Sequence, residues 1–330
     1  MDSKKINVGI TGCGHLGSIH AKNLCEICRT DDRISFIGVY DIDAERSKNT
    51  SRECNVKSFA SFEDLCSEIN TLIIATPTLT HFEIAKKTLD KNIHVFIEKP
   101  VTSTYSEAQR LLELSQKSKC KIQVGHVERF NQALMTLSNY NLSPRFIESH
   151  RLSQFNPRGT DVSVIQDLMI HDIDIVQYLV KSKINSIEAN GVAIISDKID
   201  IANARLTFEN GCVANLTASR ISLKKMRKMR IFQKNSYVSI DFLNNKPEVF
   251  RLINKGESSG MYIPVSDEKG ILYEQPNLDS SNEHNPIREE LKTFFESILS
   301  NNKVKVSLEE AAEAVRISDE IIKKISNQSS

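Results

Sequence analysis

Four sets of residues in this chain have types and spacings suited to chemistry. The first is Gly12-Cys13-Gly14-His15-Leu16-Gly17, which follows the apolar run Ile6 to Ile10 and precedes a helical pattern through Leu24 and Ile27. A G-x-G-x-x-G loop carries weight in this setting, directly after a strand and opening a helix. Gly12 permits the tight turn, Gly14 lets the backbone approach a pyrophosphate, and Gly17 lets helix and strand pack closely. His15 and Leu16 open the helix, whose first N–H groups and partial positive charge favour phosphate. The second set is Asp41, 24 residues after Gly17 and just past the run Ile34 to Tyr40. A carboxylate there takes the two ribose hydroxyls of an adenosine and repels a 2′-phosphate. No Arg or Lys follows until Arg46, so NAD is expected over NADP.

The third set, Glu98-Lys99-Pro100, ends an apolar run from His94. A lysine ahead of a turn-fixing proline is expected near the nicotinamide end of the cofactor. Its ammonium would hydrogen-bond a substrate hydroxyl and favour the alkoxide that develops during hydride transfer. A second role stands open: Lys99 is itself the base if burial lowers its pKa. The fourth set lies on the pattern Val162 to Val180. At about 100° per residue, Asp167, His171, Asp174 and Tyr178 fall on one stripe, while Ile165, Met169, Ile173 and Val176 lie elsewhere and can pack. A neighbouring carboxylate, Asp167 or Asp174, holds an imidazole in one tautomer and stabilises its protonated form, which suits His171 as a general base. Nothing nearby supplies a convincing third ligand, so no metal is expected.

The elements that must position these residues alternate. Strands are expected at Ile6 to Ile10, Ile34 to Tyr40, Val56 to Phe59, Thr71 to Ala75, His94 to Ile97 and Lys121 to Val124. Helical patterns fall between them, at Ala44 to Cys54, from an N-cap at Ser61, and at His81 to Lys91 and Ser106 to Ser118. This rhythm means βαβ units in a doubly wound parallel sheet, with ligands beyond the carboxyl ends of the strands. Gly12, Asp41, Thr76, Glu98-Lys99 and Gly125-His126 all sit at such ends and form one cofactor rim.

Near residue 140 the pattern changes, with the boundary at about Phe130 to Pro144. Pro144 to Ser153 reads as a strand and Val162 to Val180 as a helix. Strands follow without helices between them: Ala202 to Phe208, Val213 to Arg220, Arg230 to Lys234 and Tyr237 to Phe242. Asn210-Gly211 signals a two-residue hairpin turn. Residues 255–283 read as irregular, Lys224 to Arg230 as a solvated hairpin face, and Pro286 to Leu299 and Leu308 to Ile325 as helices, the latter capped by Ser307 with Glu310. The expectation is an α/β fold: a Rossmann domain over 1–130, then an α+β domain over 131–330 with an open, mostly antiparallel sheet. The last helix is allowed to pack back on the first domain.

Composition narrows the function. Over 330 residues, Lys plus Arg number 43 and Asp plus Glu 42, which argues against a nucleic-acid or membrane-surface binder. No apolar run is long enough to span a bilayer. Seven scattered cysteines suit a reducing cytoplasm better than a disulfide framework, and Cys25-Glu-Ile-Cys28 has no second pair to complete a zinc site.

Together, Gly12 to Gly17, Ala75-Thr76-Pro77 followed by His81, Glu98 to Pro100, and Asp167 with His171 resemble the Gfo/Idh/MocA oxidoreductases over nearly the whole chain. The resemblance implies NAD(P)-dependent oxidation of a secondary alcohol on a sugar, cyclitol or nucleotide sugar. It also implies an active site holding Lys99, Asp167 and His171, cofactor contacts at Thr76, Pro77, His81 and Glu98, and a C-terminal sheet that makes dimers or tetramers. The stretch Val124 to Asn131 is similar to one in members that oxidise the 3-hydroxyl of UDP-N-acetylglucosamine. It brings Glu128, Arg129 and Asn131 forward as substrate contacts, with Arg151, Arg158 and Asp174. Arginine suits bidentate phosphate binding, and each of these arginines has a salt bridge as its competing role. The rivals are an inositol-type or biliverdin-type dehydrogenase and a non-catalytic NAD-binding regulator.

Overall fold

The computed structural model of the chain describes residues 5–156, 162–254, 261–266, 268–276 and 284–327. They form two compact units. One runs up to Val127 and includes Asn285–Arg316; the other comprises Glu128–His284 and the residues from Ile317 onward. The second domain expected over 131–330 is therefore interrupted, because Asn285–Arg316 belongs with the first unit.

The first unit is built on six parallel strands, β1 (Ile6–Thr11), β2 (Ile34–Tyr40), β3 (Lys57–Ser58), β4 (Thr71–Ile74), β5 (His94–Glu98) and β6 (Ile122–Gly125), in the order β3-β2-β1-β4-β5-β6. Helices α1 (His15–Thr30), α2 (Ala44–Cys54), α3 (Phe62–Glu68), α4 (His81–Leu89) and α5 (Tyr105–Gln116) connect them. Central strands buried on both faces need continuous apolar runs; all four residues of β4 are buried. Local capping sets the helix starts. Asp43 accepts the N–H groups of Glu45 and Arg46 at 3.0 and 3.3 Å, Ser61 accepts that of Asp64 at 3.0 Å, and Thr104 with Glu107 forms a capping box. α8 (Pro286–Leu299) brings Leu291, Phe294, Phe295 and Ile298 into one apolar cluster with Ile6, Val8, Ile10 and Leu24. α9 (Leu308–Ser326) starts from the expected box, Ser307 with Glu310.

The second unit carries a nine-stranded sheet: β7 (Phe146–Leu152), β8 (Ile184–Val192), β9 (Ile201–Phe208), β10 (Val213–Ser219), β11 (Met226–Gln233), β12 (Ser236–Asp241), β13 (Lys246–Asn254), β14 (Met261–Pro264) and β15 (Lys269–Glu274). The order is β14-β15-β13-β12-β11-β7-β10-β9-β8, and every pairing is antiparallel except β7 with β10. Ala202, Ala204, Leu206 and Phe208 turn inward from β9, as their alternation predicts. At Asn210-Gly211 only the glycine takes positive φ (+81°), and its N–H bonds the Phe208 carbonyl at 2.9 Å. The β9–β10 connection is therefore a longer bulged loop rather than the expected two-residue turn.

Three expectations change here. β14 and β15 occupy part of the stretch expected to be irregular. The basic run expected as a hairpin face lies largely in β11, with Met229 buried while Arg230 pairs with Glu148 at 2.7 Å and Lys228 with Asp241 at 3.4 Å. The single helix expected from Val162 begins instead as a π-helical turn, Ile165–Met169, followed by α7 (Ile170–Val180). The reason is common to all three: strand pairing and helix insertion depend on neighbours that short-range periodicity does not report. A further short helix, α6 (Gln132–Thr136), follows β6.

Candidate active site

Sterics shape the glycine loop at the end of β1. Gly12 has φ +91°, and a Cβ on it would lie 2.6 Å from the carbonyl carbon and oxygen of Ala75. A Cβ on Gly17 would come within 1.8 Å of the Gly12 oxygen. Both positions are closed to any side chain. Gly14 meets nothing within 4 Å, so the loop's own packing does not require its lack of a side chain. What that lack provides is open approach to the backbone where α1 begins. This is the cradle a pyrophosphate needs, and the residues present fit a dinucleotide. A groove of about 950 Å3 runs past Gly12, Gly14, Leu16, Asp41, Thr76 and Pro77, at the carboxyl ends of β1, β2 and β4.

Asp41 accepts the Cys13 N–H at 2.6 Å through Oδ2 and the Asp43 N–H at 2.8 Å through Oδ1. These bonds fix the carboxylate at the rim. Burial pushes the Cys13 thiol up to about 11, so at neutral pH it is a buried, uncharged filler of the loop.

Two of the expected cofactor contacts are buried and bonded within the first unit. His81 is only 1% exposed, with Nδ1 2.9 Å from the Pro100 carbonyl and Nε2 2.9 Å from that of Thr76. It braces the turn after β4 against the turn after β5. Burial holds its pKa below the ordinary histidine value against the pull of those carbonyls, so the ring donates to one of them at a time. Glu98 is also buried. It accepts from His20 Nε2 at 2.5 Å and from the Lys99 N–H at 3.1 Å. Its carboxylate therefore lies beneath the turn that carries Lys99. The Lys99–Pro100 bond is cis, and Lys99 is half-buried.

In the second unit, Asp167 and His171 are half-buried, while Asp174 is 1% exposed. Asp167 belongs to the π-helical turn, whose bonding pattern departs from 100° per residue, so the stripe drawn through it does not continue unbroken into α7. The residues expected to meet substrate are engaged with each other. Arg129 grips Asp174 through Nε and Nη2 at 2.8 and 2.6 Å and lies over the Tyr178 ring. Arg151 binds Asp172 through Nε and Nη2 at 2.8 and 3.1 Å, and Glu128 through Nη1 at 2.7 Å. Burial would lower the Arg151 pKa, but the two carboxylates hold it above its ordinary value. Asn131 caps α6 and donates to the Phe242 carbonyl at 3.0 Å. Buried charges need such partners, and these pairs clamp Asp172 and Asp174, just after His171 on α7. The salt-bridge role prevails for both arginines. Arg158 lies outside the described residues.

The sequence reading missed Asp172, His20 and Glu290. Asp172 follows His171 directly and had an ion-pair signal in Arg151 across the unit. His20 lies three residues past Gly17 on the buried side of α1. Among the described residues no helix is long and apolar enough to cross a membrane.

The strand order, the open cradle and the strand-end carboxylate define a dinucleotide-binding Rossmann fold. Residues 6–126 match an oxidoreductase family described by that fold, and residues 124–236 match the Gfo/Idh/MocA C-terminal domain. The chain belongs to the Gfo/Idh/MocA family. It is 35% identical over 301 residues to the UDP-N-acetylglucosamine 3-dehydrogenase of Acidithiobacillus ferrooxidans, covering 91% of this chain and 90% of that one. A crystal form of that enzyme superposes with TM-score 0.88 at 32% identity over 97% of each chain. Levoglucosan dehydrogenase in complex with NADH and levoglucosan shares the fold, with TM-score 0.85 at 17% identity, covering 98% of this chain and 97% of that one.

Proposed function

We propose that the protein is an NAD-dependent dehydrogenase that oxidises the 3-hydroxyl of UDP-N-acetylglucosamine to the 3-keto sugar. The observation that carries this reading is the near full-length similarity to a relative bearing that name. The cradle at Gly14 supports the cofactor half. Asp41 supports NAD over NADP, since it puts a carboxylate at the rim and the nearby Arg46 is 3.2 Å from Asp43.

NAD+, when bound, accepts the hydride. The hydroxyl loses a hydride from carbon and a proton from oxygen, leaving a ketone. His171 takes the proton, with Asp167 supporting its charged form. Lys99 lends its ammonium to the developing alkoxide. Arg129–Asp174 and Arg151–Asp172 act as supports for α7 in this reading and leave diphosphate binding to other groups. Copies of the chain associate through the open sheet as a dimer or tetramer, which light scattering would test. Seven free cysteines fit the cytoplasm.

The test is incubation with NAD+ and a panel of UDP-sugars, watching NADH absorbance. UDP-N-acetylglucosamine should give signal with NAD+ and much less with NADP+. Signal from free inositol and none from any UDP-sugar would overturn the substrate assignment, and none from any alcohol would favour a regulator.

A further inference from the structure

The first unit encloses a polar cluster that neither the cofactor nor the substrate reading uses. Glu290, on α8, is 0% exposed, and both of its carboxyl oxygens are buried without a hydrogen-bond partner among the described residues. One of its oxygens, one of Glu98 and one ring nitrogen of His20 all lie within 4.8 Å of one another. An ionised carboxylate left in that position would be severely destabilising.

The hydrogen bonds say which group holds the charge. Glu98 receives two donors, His20 Nε2 and the Lys99 N–H. His20 Nδ1 is buried without a partner among the described residues, as suits a ring that donates through Nε2 and keeps a bare lone pair at Nδ1. Two carboxylates this close do not both ionise. Glu98 is thus the anion and Glu290 the acid.

Gly125 makes room for the anion, since a Cβ there would lie 3.1 Å from the Glu98 carboxylate. Burial and the Glu98 charge push the Glu290 pKa well above the usual carboxyl range. Burial would raise Glu98 too, but His20 and then Lys99 hold it below that range. Among the described residues, the ionisable groups gathered with Glu290 are His20 from α1 and Glu98 from β5, with Lys99 acting on the same anion. β6 contributes the Gln123 amide, which donates to the Glu290 backbone carbonyl at 2.9 Å.

We propose that Glu290 is a neutral carboxylic acid that shares its proton with Glu98, and that this bond steadies the turn carrying Lys99, making Glu290 a positioning residue for the reaction. Rotation of the Glu290 carboxyl brings its O–H onto Glu98, whose other oxygen holds the first peptide N–H of the Lys99 turn. The catalytic half of this inference rests on the role proposed for Lys99; the protonation half does not.

Infrared spectra of the full-length protein at neutral pH should show the carbonyl stretch of a buried carboxylic acid, absent in Glu290→Gln. Because the folded pKa is raised, the stability Glu290 contributes is full below the unfolded carboxyl value and lost as pH rises through the folded one. The Tm of Glu290→Gln should therefore gain on that of the wild type from about pH 5 to about pH 8. Glu290→Leu should lose about 10- to 100-fold in kcat with KM little changed, and Glu290→Gln should recover most of that loss. Absence of the acid band, or parallel pH profiles of Tm, overturns the protonation. So does a stoichiometric divalent metal in the purified wild type that Glu290→Gln lacks. An acid band with equal kcat in the Leu and Gln variants overturns the positioning role alone.

Discussion

Asp174 and His171 lie three residues apart on α7, and they differ in burial. Asp174 is sealed against the Arg129 guanidinium, and a carboxylate so held stabilises the fold. His171 is half-buried. Replacing His171 with Ala should slow the chemical step by about 10² to 10⁴ and leave Tm almost unchanged. A variant with full single-turnover rate would take His171 out of the mechanism. The glycines separate in the same way. Gly17→Ala drives a methyl into the Gly12 carbonyl and should unfold the loop, whereas Gly14→Ala has open space and should fold normally while weakening NAD binding. Calorimetry beside cofactor titration distinguishes the two. All of these residues except Asp172, His20 and Glu290 could be picked out in the chain, the glycines, Asp167, His171 and Asp174 from spacing and Arg129 from the family resemblance. The pairing of Arg129 with Asp174 could not, because it depends on which arginine reaches which carboxylate.

α7 is held by devices on both sides of it. Arg151 ties Asp172 to Glu128, and Arg220 donates to the Val162 carbonyl at 2.8 Å just before the π-helical turn. Arg220 is in turn held by Asp200, which also collects the N–H groups of Ile194, Ile195 and Ser196 at 2.7–3.0 Å. Arg151→Met leaves Asp172 buried without its cation and Glu128 with the Arg227 cation at 3.4 Å, and should lower stability by about 3–5 kcal/mol, read from denaturant midpoints. Burial would raise the Asp200 pKa, but the N–H groups and Ser196 hydroxyl outweigh it and hold the carboxyl below its usual range. Its stabilisation is present above the unfolded carboxyl value and lost as pH falls, so wild-type Tm should drop below about pH 4 more steeply than that of Asp200→Asn. Helices and strands with strong caps or strict alternation were readable in advance, as α2, α9 and β9 show. β13 to β15 were not, because their inward residues are few and their order comes from pairing with β12 onward.

The core of the first unit is assembled from the two ends of the chain. Phe294 and Phe295 of α8 share a cluster with Ile6 and Ile10 of β1, and Gln123 reaches the Glu290 carbonyl across 167 residues. A fragment ending at Phe130 should therefore lack a cooperative thermal transition, because it exposes the apolar surface that α8 covers. Joining residues 285–316 to it through a flexible linker should restore one. A sharp transition in the short fragment would show that α8 is dispensable to that core.

The parallel half, its glycine loop and the strand-end Asp41 follow from contiguous stretches of residues, since period, caps and turn chemistry act over a few positions. Family membership follows from them too. The grouping of 285–316 with the first unit, the Arg129–Asp174 and Arg151–Asp172 clamps and the buried meeting of His20, Glu98 and Glu290 arise otherwise. They join residues far apart along the chain, and desolvation makes each group's charge state depend on partners that no local pattern names.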